Sequence, residues 1–356
     1  MKIIHTSDIH LDAAMRNGLS PERAKERRSE LMTAFLRLAE YADRAGASAV
    51  IVAGDLFDRG RVTAKVRRFV IDTVKRLPDI EFFILFGNHD AGCFEFTDSL
   101  PENLKLFGSE WVKYDLPEGV TVCGVELTGE NCESLYGELE LDPERVNIAV
   151  MHGAVGKAFG EDAVNIKALA EKGIDYLALG HYHSYDTGKI DRRGIYCYPG
   201  CLEGRGFDEC GYKGFVELDI ENGKVAHRFV KNSIRTVEER CADMTGACTF
   251  ADQLCRVKDA LSDVSGDSIV RVRTEGKLRP GEEKFFDQIV RELEGQYYGF
   301  SVKDRTGVLI DRADYEGEIS LKGEFIRLVT EKVKNEEERE RIIACGLAAL
   351  LGGEMP

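Results

Sequence analysis

The sequence predicts an α/β protein with a layered sheet flanked by helices, a smaller second α/β unit and a helical tail. Three observations predict it. Short apolar runs alternate with helix-length segments over residues 1–235. From Gly194 to Val230 the pattern becomes that of hairpins. A second, shorter series of helix and strand patterns fills residues 236–316, and residues 317–356 read as helix.

Lys2–Thr6, Ala49–Ala53, Phe82–Phe86, Ile148–Met151 and Tyr176–Leu179 are short and apolar, the pattern of buried strands. Pro21 to Arg44 opens a helix after Ser20, an N-cap followed by proline at the first helical position. Thr63 to Arg76 is a second helix, stopping before Pro78, and Asn165 to Glu171 a third, ending near Gly173. Asn222-Gly223 lies between two alternating runs and predicts a tight hairpin. Arg192-Arg193 marks another hairpin turn. In the second unit Thr249–Leu261 and Pro280–Leu293 read as helices, Ser268–Thr274 and Tyr298–Lys303 as strands.

Composition narrows the class. The chain has 356 residues, 43% hydrophobic and 31% charged, enough for one large core and a smaller one. No run approaches the roughly 18 apolar residues of a membrane span; Ile342 to Leu351 is the longest candidate. No secretory pattern precedes Asp8 and His10, so a cytoplasmic protein without membrane contact is expected. Ten cysteines form no C-x-x-C pair, and reduced, mostly buried thiols are expected. The net charge of −15 is unusual for a lone DNA binder. It requires a small substrate, locally concentrated basic groups, a partner that contacts phosphate, or bound cations that change the local sign.

The chemistry sits at the ends of the apolar runs. They lead into Asp8-Ile9-His10, Gly54-Asp55-Leu56-Phe57-Asp58, Gly87-Asn88-His89-Asp90, His152-Gly153 and Gly180-His181-Tyr182-His183. Ligands of open α/β sheets bind outside the carboxyl ends of the strands. Six of the seven histidines fall at or beside these motifs; His227 does not. A spacing of two on extended chain places Asp8 with His10, and His181 with His183, on one side. Gly54, Gly87, Gly153 and Gly180 let the backbone approach an ion. Carboxylate, imidazole and amide donors suit manganese, iron or zinc better than calcium, and few thiols lie near the motifs, which argues against a structural zinc site. Asp8, His10, Asp55, Asn88, His152, His181 and His183 are more ligands than one ion needs. Two ions bridged by Asp55 would use them all, and a hydroxide on the metals would attack phosphorus in line. His89 is left for transition-state stabilisation or protonation of the leaving oxygen.

D-x-H, G-D-x-x-D, G-N-H-D, H-G and G-H-x-H, in this order, resemble the calcineurin-like metallophosphoesterases. His5 to Asp12, the run from Arg23 through Arg27-Arg28 to Phe35, Tyr198-Pro199-Gly200, Gly204 to Glu209, and Lys213-Gly214 are similar to SbcD-type DNA-repair exonucleases of the YhaO-like bacterial branch. The resemblance covers about two thirds of the chain. It implies a layered β-sandwich flanked by helices, a small α/β capping domain and C-terminal helices. It also implies two metal ions, manganese first, with iron, magnesium or zinc as alternatives. Asp8, His10, Asp55 and His183 would take one ion, and Asp55, Asn88, His152 and His181 the other. His89 matches the catalytic histidine. Asp58 stands where archaeal and eukaryotic relatives carry histidine, and would orient a ligand or water. The implied partners are single- or double-stranded DNA ends, an SbcC or SMC-like ATPase, and a second copy of the chain.

Other residues have plainer readings beside functional ones. His5 packs beside the first strand or orients a ligand. Asp12 and Asp90 suit turns or caps. Arg205 would either contact a substrate phosphate or pair with Asp208 or Glu209. Arg59, Arg61, Lys65, Arg67 and Arg68 form either a DNA-backbone track or a solvated helix face. The apolar tail packs on its own domain or on a partner helix. The leading reading is a DNA exonuclease or endonuclease subunit in repair. The rivals are a phosphodiesterase or phosphatase for a nucleotide or other small phosphoester, and a regulatory subunit of an SMC-like ATPase.

Overall fold

The computed structural model describes residues 1–15, 19–58, 62–87, 90, 100–156, 162–279, 281–309 and 319–350. The chain divides into two compact units, Met1–Val237 and Glu238–Pro356.

The first unit holds two six-stranded sheets. One runs, edge to edge, β14 (Lys224–Lys231), β13 (Gly214–Glu221), β1 (Lys2–Thr6), β2 (Ala49–Ala53), β3 (Glu81–Leu85) and β4 (Leu104–Leu106). The other runs β11 (Asp186–Lys189), β12 (Ile195–Tyr198), β10 (Tyr176–Gly180), β7 (Val146–His152), β6 (Val120–Gly124) and β5 (Val112–Leu116). A short pair, β8 (Ala154–Val155) and β9 (Ala163–Val164), lies beside them in sequence.

Side-chain alternation decides how these sheets stack. Ile3, Ile51, Phe83 and Leu85 point one way and meet Val122, Ile148, Val150 and Tyr176 from the other sheet in a shared core. Ile4, Val50, Val52, Phe82 and Ile84 point the other way, against α1 (Pro21–Arg44) and α2 (Ala64–Lys75). Ala149, Met151, Leu177 and Leu179 face α3 (Leu135–Glu138) and α4 (Ile166–Leu169). Both sheets are thus covered on both faces, which is why the central strands read as unbroken apolar runs. β1 to β4 are parallel, as are β6, β7, β10 and β12, so their carboxyl ends align.

The strand expectations are met within one or two residues, and Ser20 caps α1 by accepting from Arg23 N–H. Asn222 (φ 51°) and Gly223 (φ 72°) form the tight turn between β13 and β14. Two helices fall short. α4 stops at Leu169 because Ala170 is extended, and the Glu171 N–H donates to Asp191 instead. α6 (Phe286–Leu293) starts late. Buried Gln253 binds the Glu283 carbonyl and the Phe285 N–H, taking groups an earlier helix would use. The expectation of mostly buried cysteines also fails. Among the described cysteines, all free, Cys123, Cys197 and Cys201 are buried, while Cys210, Cys241, Cys248, Cys255 and Cys345 are exposed on short helices, strands and turns that bury one face only.

In the second unit β15 (Val237–Asp243), β16 (Ile269–Glu275) and β18 (Gly299–Asp304) form a sheet whose core includes Val257 of α5 (Phe250–Ala260) and Ile289 of α6. β17 (Lys277–Leu278) pairs with β19 (Gly307–Val308). α7 (Leu321–Lys332) and α8 (Glu336–Leu350) pack together through Ile326, Val329, Ile343 and Leu347, leaving Ile342 and Leu350 exposed. No helix among the described residues is long and apolar enough to cross a membrane.

Candidate metal centre

Past the ends of β1 and β2 the two chains continue side by side. Asp8 N–H donates to Gly54 O (3.1 Å), His10 N–H to Asp55 O (3.0 Å) and Leu11 N–H to Leu56 O (2.9 Å). This pairing stacks the two motifs, but not through extended chain. Asp8 and His10 (φ 49° each), Asp55 (52°) and His181 (110°) all have positive φ. Left-handed turns, each costing on the order of 1–3 kcal/mol in a non-glycine residue, aim these side chains. The expected grouping of Asp8 with His10 is therefore present, for a different reason than the two-residue spacing.

Six of the sequence-predicted ligands converge. His10 Nε2 and His152 Nε2 lie 3.7 and 3.5 Å from the same atom, Asp55 Oδ2. His183 Nε2 lies 3.5 Å from Asp8 Oδ1. The rings of His10 and His183 are 5.2 Å apart, those of His152 and His181 5.5 Å. Ligand atoms cluster in two overlapping groups, Asp8/His10/His183 and Asp8/Asp55/His152. Asn88 and His89 lie outside the described residues.

The geometry suits cations. Two donors about 2.1 Å from one ion and about 110° apart stand about 3.4 Å from each other. His152 gives the sharpest test. Its Nδ1 is 2.9 Å from the Ala53 carbonyl, which fixes the proton there, and its buried Nε2 has no hydrogen-bond partner. A buried lone pair facing a carboxylate is costly without a positive charge between them. Two glycines make the approach feasible. A Cβ on Gly54 would lie 2.1 Å from His152 Nδ1, and one on Gly180 1.9 Å from Ala53 O.

Burial and charge set the protonation of the half-buried histidines in opposite directions. Burial, then the neighbouring His152, pushes His181 down. His183 is pushed up: burial opposes this, but its bond to Glu209 and the charge of Asp8 outweigh it. His5 is buried between the sheets, 2.9 Å from Tyr176 Oη, and burial pushes its pKa down to about 3.

The flanking residues make contacts of their own. Asp90 accepts from the N–H groups of Leu56, Phe57 and Gly87, tying the Asp55 loop to the Gly87 loop. Burial raises its carboxyl to about 7. Asp12 accepts from Thr63 N–H before α2. Asp58 Oδ1 stands 3.7 Å from His10 Nδ1 and 4.0 Å from Arg205 Nη1. Arg205 pairs with Glu209 at 2.8 Å. Of the basic cluster, Arg59 and Arg61 lie outside the described residues; Lys65 is exposed on α2 and Arg68 is 3.8 Å from Asp72.

Glu209 is the residue to which sequence reasoning gave no role at the metal centre, noting it as an ion-pair partner and as the end of the Gly204 to Glu209 run. Its Oε1 is 2.6 Å from His183 Nδ1. The local signals were a glutamate four residues after Arg205 and its place at the end of the Gly204 to Glu209 run; the link to His183 is made by the fold.

Oxygen and imidazole donors gathered at the carboxyl ends of parallel strands define the site of a metal-dependent hydrolase. The chain belongs to the calcineurin-like phosphoesterase family, which its residues 1–185 match, and it is a phosphoester hydrolase. It is 28% identical over 280 residues to the uncharacterized metallophosphoesterase YhaO of Bacillus subtilis, covering 74% of this chain and 68% of that one. It is 27% identical over 263 residues to the DNA double-strand break repair protein Mre11 of Methanopyrus kandleri, covering 65% of this chain and 57% of the relative. The Mre11 of Haloferax volcanii is 25% identical over 359 residues, covering 98% of this chain and 75% of that one. The chain thus spans less than two thirds of the Methanopyrus relative.

Proposed function

We propose that this chain is a phosphodiester hydrolase with a dinuclear centre that cleaves DNA ends in repair. The observation that carries the two-metal reading is Asp55, whose Oδ2 reaches toward His10 on one side and His152 on the other. Asp8, His10, Asp55 and His183 would hold one ion, and Asp55, Asn88, His152 and His181 the other, manganese being the first choice. When bound, the ions would supply Lewis acidity for hydrolysis of a phosphodiester.

The protein's own groups do the positioning. The His181 N–H donates to both Asp8 oxygens at 3.1 Å, and Ser7 Oγ donates to Oδ2, which holds that carboxylate in one rotamer. Asp58 keeps the Nδ1 side of His10 turned toward a carboxylate. His89 is assigned to the leaving oxygen as proton donor. DNA as substrate rests on the similarity to the DNA double-strand break repair proteins Mre11. From the resemblance we also assign residues 236–316 as a capping domain and residues 317–356 as a docking element for an SbcC or SMC-like ATPase, with homodimerisation and a cytoplasmic setting.

The test is Mn²⁺-dependent cleavage of end-labelled linear single- and double-stranded DNA, beside a bis-aryl phosphodiester. Asp55→Asn should reduce both Mn²⁺ binding and cleavage to background. His89→Leu should lose turnover while retaining both ions. DNA left intact while the artificial diester is cleaved would shift the substrate to a small phosphoester, a reading the net charge of −15 favours.

A further inference from the structure

A histidine that ligates a metal presents one ring nitrogen as a lone pair and keeps its proton on the other. For His152 that choice is made by a main-chain carbonyl. For His183 the structure shows a side chain in the same place. His183 Nδ1 is 2.6 Å from Glu209 Oε1, while Nε2 faces Asp8 Oδ1 at 3.5 Å. A lone pair on Nδ1 could not approach a carboxylate oxygen so closely, so the proton belongs on Nδ1.

Glu209 is itself fixed. It is 2% exposed, and its Oε2 accepts from the Arg205 backbone N–H at 2.6 Å. Its Oε1 accepts from Arg205 Nε at 3.2 Å and Nη2 at 2.8 Å. Arg205 Nη2 and His183 Nδ1 stand 3.0 Å apart because both donate to that same oxygen. The backbone on either side is anchored as well. Lys213 Nζ donates to His183 O at 2.8 Å. Buried Arg27 donates to Glu203 Oε2 and Gly204 O, both at 2.9 Å, just before Arg205. Glu209 lies beyond residues 1–185, the stretch that matches the family.

We propose that Glu209 is the positioning residue of His183, holding its Nδ1–H so that Nε2 is presented to the ion pocket, and that Arg205 serves Glu209 and not substrate. The inference rests on the metal-centre reading and adds a residue that governs one of its two sites.

The experiment uses the full chain with two readouts, Mn²⁺ affinity by titration calorimetry and the His183 tautomer by imidazole ¹⁵N NMR of the metal-free protein. Glu209→Ala is expected to weaken one Mn²⁺ site by about 10–100-fold, leave the other unchanged and release the Nδ1–H tautomer. Glu209→Gln, which keeps an acceptor oxygen, should recover part of both. It carries the test with the same readouts if the alanine variant does not fold. Wild-type Mn²⁺ affinity in folded Glu209→Ala, or in Glu209→Gln a wild-type affinity despite release of the Nδ1–H tautomer, would overturn the proposal. Arg205→Ala should show a similar Mn²⁺ loss; a raised KM with unchanged Mn²⁺ affinity would overturn its part. A wild-type chain that binds no Mn²⁺ defeats the metal-centre reading instead, and the tautomer still reports on Glu209.

Discussion

His152 and His183 belong to different ligand groups and are held by different means. His152, with a 5% exposed side chain, is oriented by the Ala53 carbonyl of the opposite sheet and admitted by glycines. His183, 29% exposed, is oriented by Glu209 and through it by Arg205. In the inner half of the site the histidine is oriented by main chain. The outer half is built from charged side chains on a loop. The difference teaches where each half is vulnerable: the inner one to added volume, the outer one to a lost charge.

Four changes break or sharpen that contrast. The largest stability effect is expected for Arg27→Met. It leaves buried Glu203 without its guanidinium, while Glu30 keeps Arg235, at a cost of about 3–5 kcal/mol in urea unfolding, and should loosen the His183 side first. Gly54→Ala attacks the inner half. Its Cβ would meet the His152 ring at a backbone φ of +89°, for a loss of about 3 kcal/mol. A wild-type urea midpoint in Gly54→Ala would show that the main chain is not what confines His152.

Asp90→Asn should cost about 1–3 kcal/mol, since one of three backbone N–H donors then faces an amide NH₂ in place of oxygen. Its effect on turnover should exceed that on stability if the Asp55 and Gly87 loops must stay in register. The smallest effect per unit is a pH dependence. His5 has a folded pKa near 3 against an ordinary 6.5. The unfolded chain therefore binds the proton first as pH falls. The stability this histidine contributes is complete above about pH 6.5 and declines toward pH 3, at about 1.4 kcal/mol per unit. Unfolding curves between pH 7 and 5 should be shallower in His5→Gln; equal slopes would remove His5 as the cause.

Much of the fold was legible because its signals are local. Five apolar runs, the Ser20-Pro21 helix start and the Asn222-Gly223 turn report conformations that neighbouring residues impose. The ligand types were legible for a similar reason: each follows a strand, and parallel strands bring their carboxyl ends to one edge. α6 was misjudged at its start because Gln253, some thirty residues earlier, competes for its backbone. The exposed cysteines were misjudged because thin elements such as β15 bury only one face.

The sequence by itself determined the α/β pattern, the gathering of acidic and imidazole groups at strand ends, and the sign of the net charge, since these depend on residue order and type. Only the tertiary structure decided which nitrogen of His152 and of His183 is left to face an ion. It also decided that Asp90 ties two loops and that Glu209 stands behind His183. Those contacts join residues 26 to 99 positions apart, and a distance of 2.6–3.1 Å across such a separation is set by how distant strands pair and the sheets pack, which no local pattern encodes.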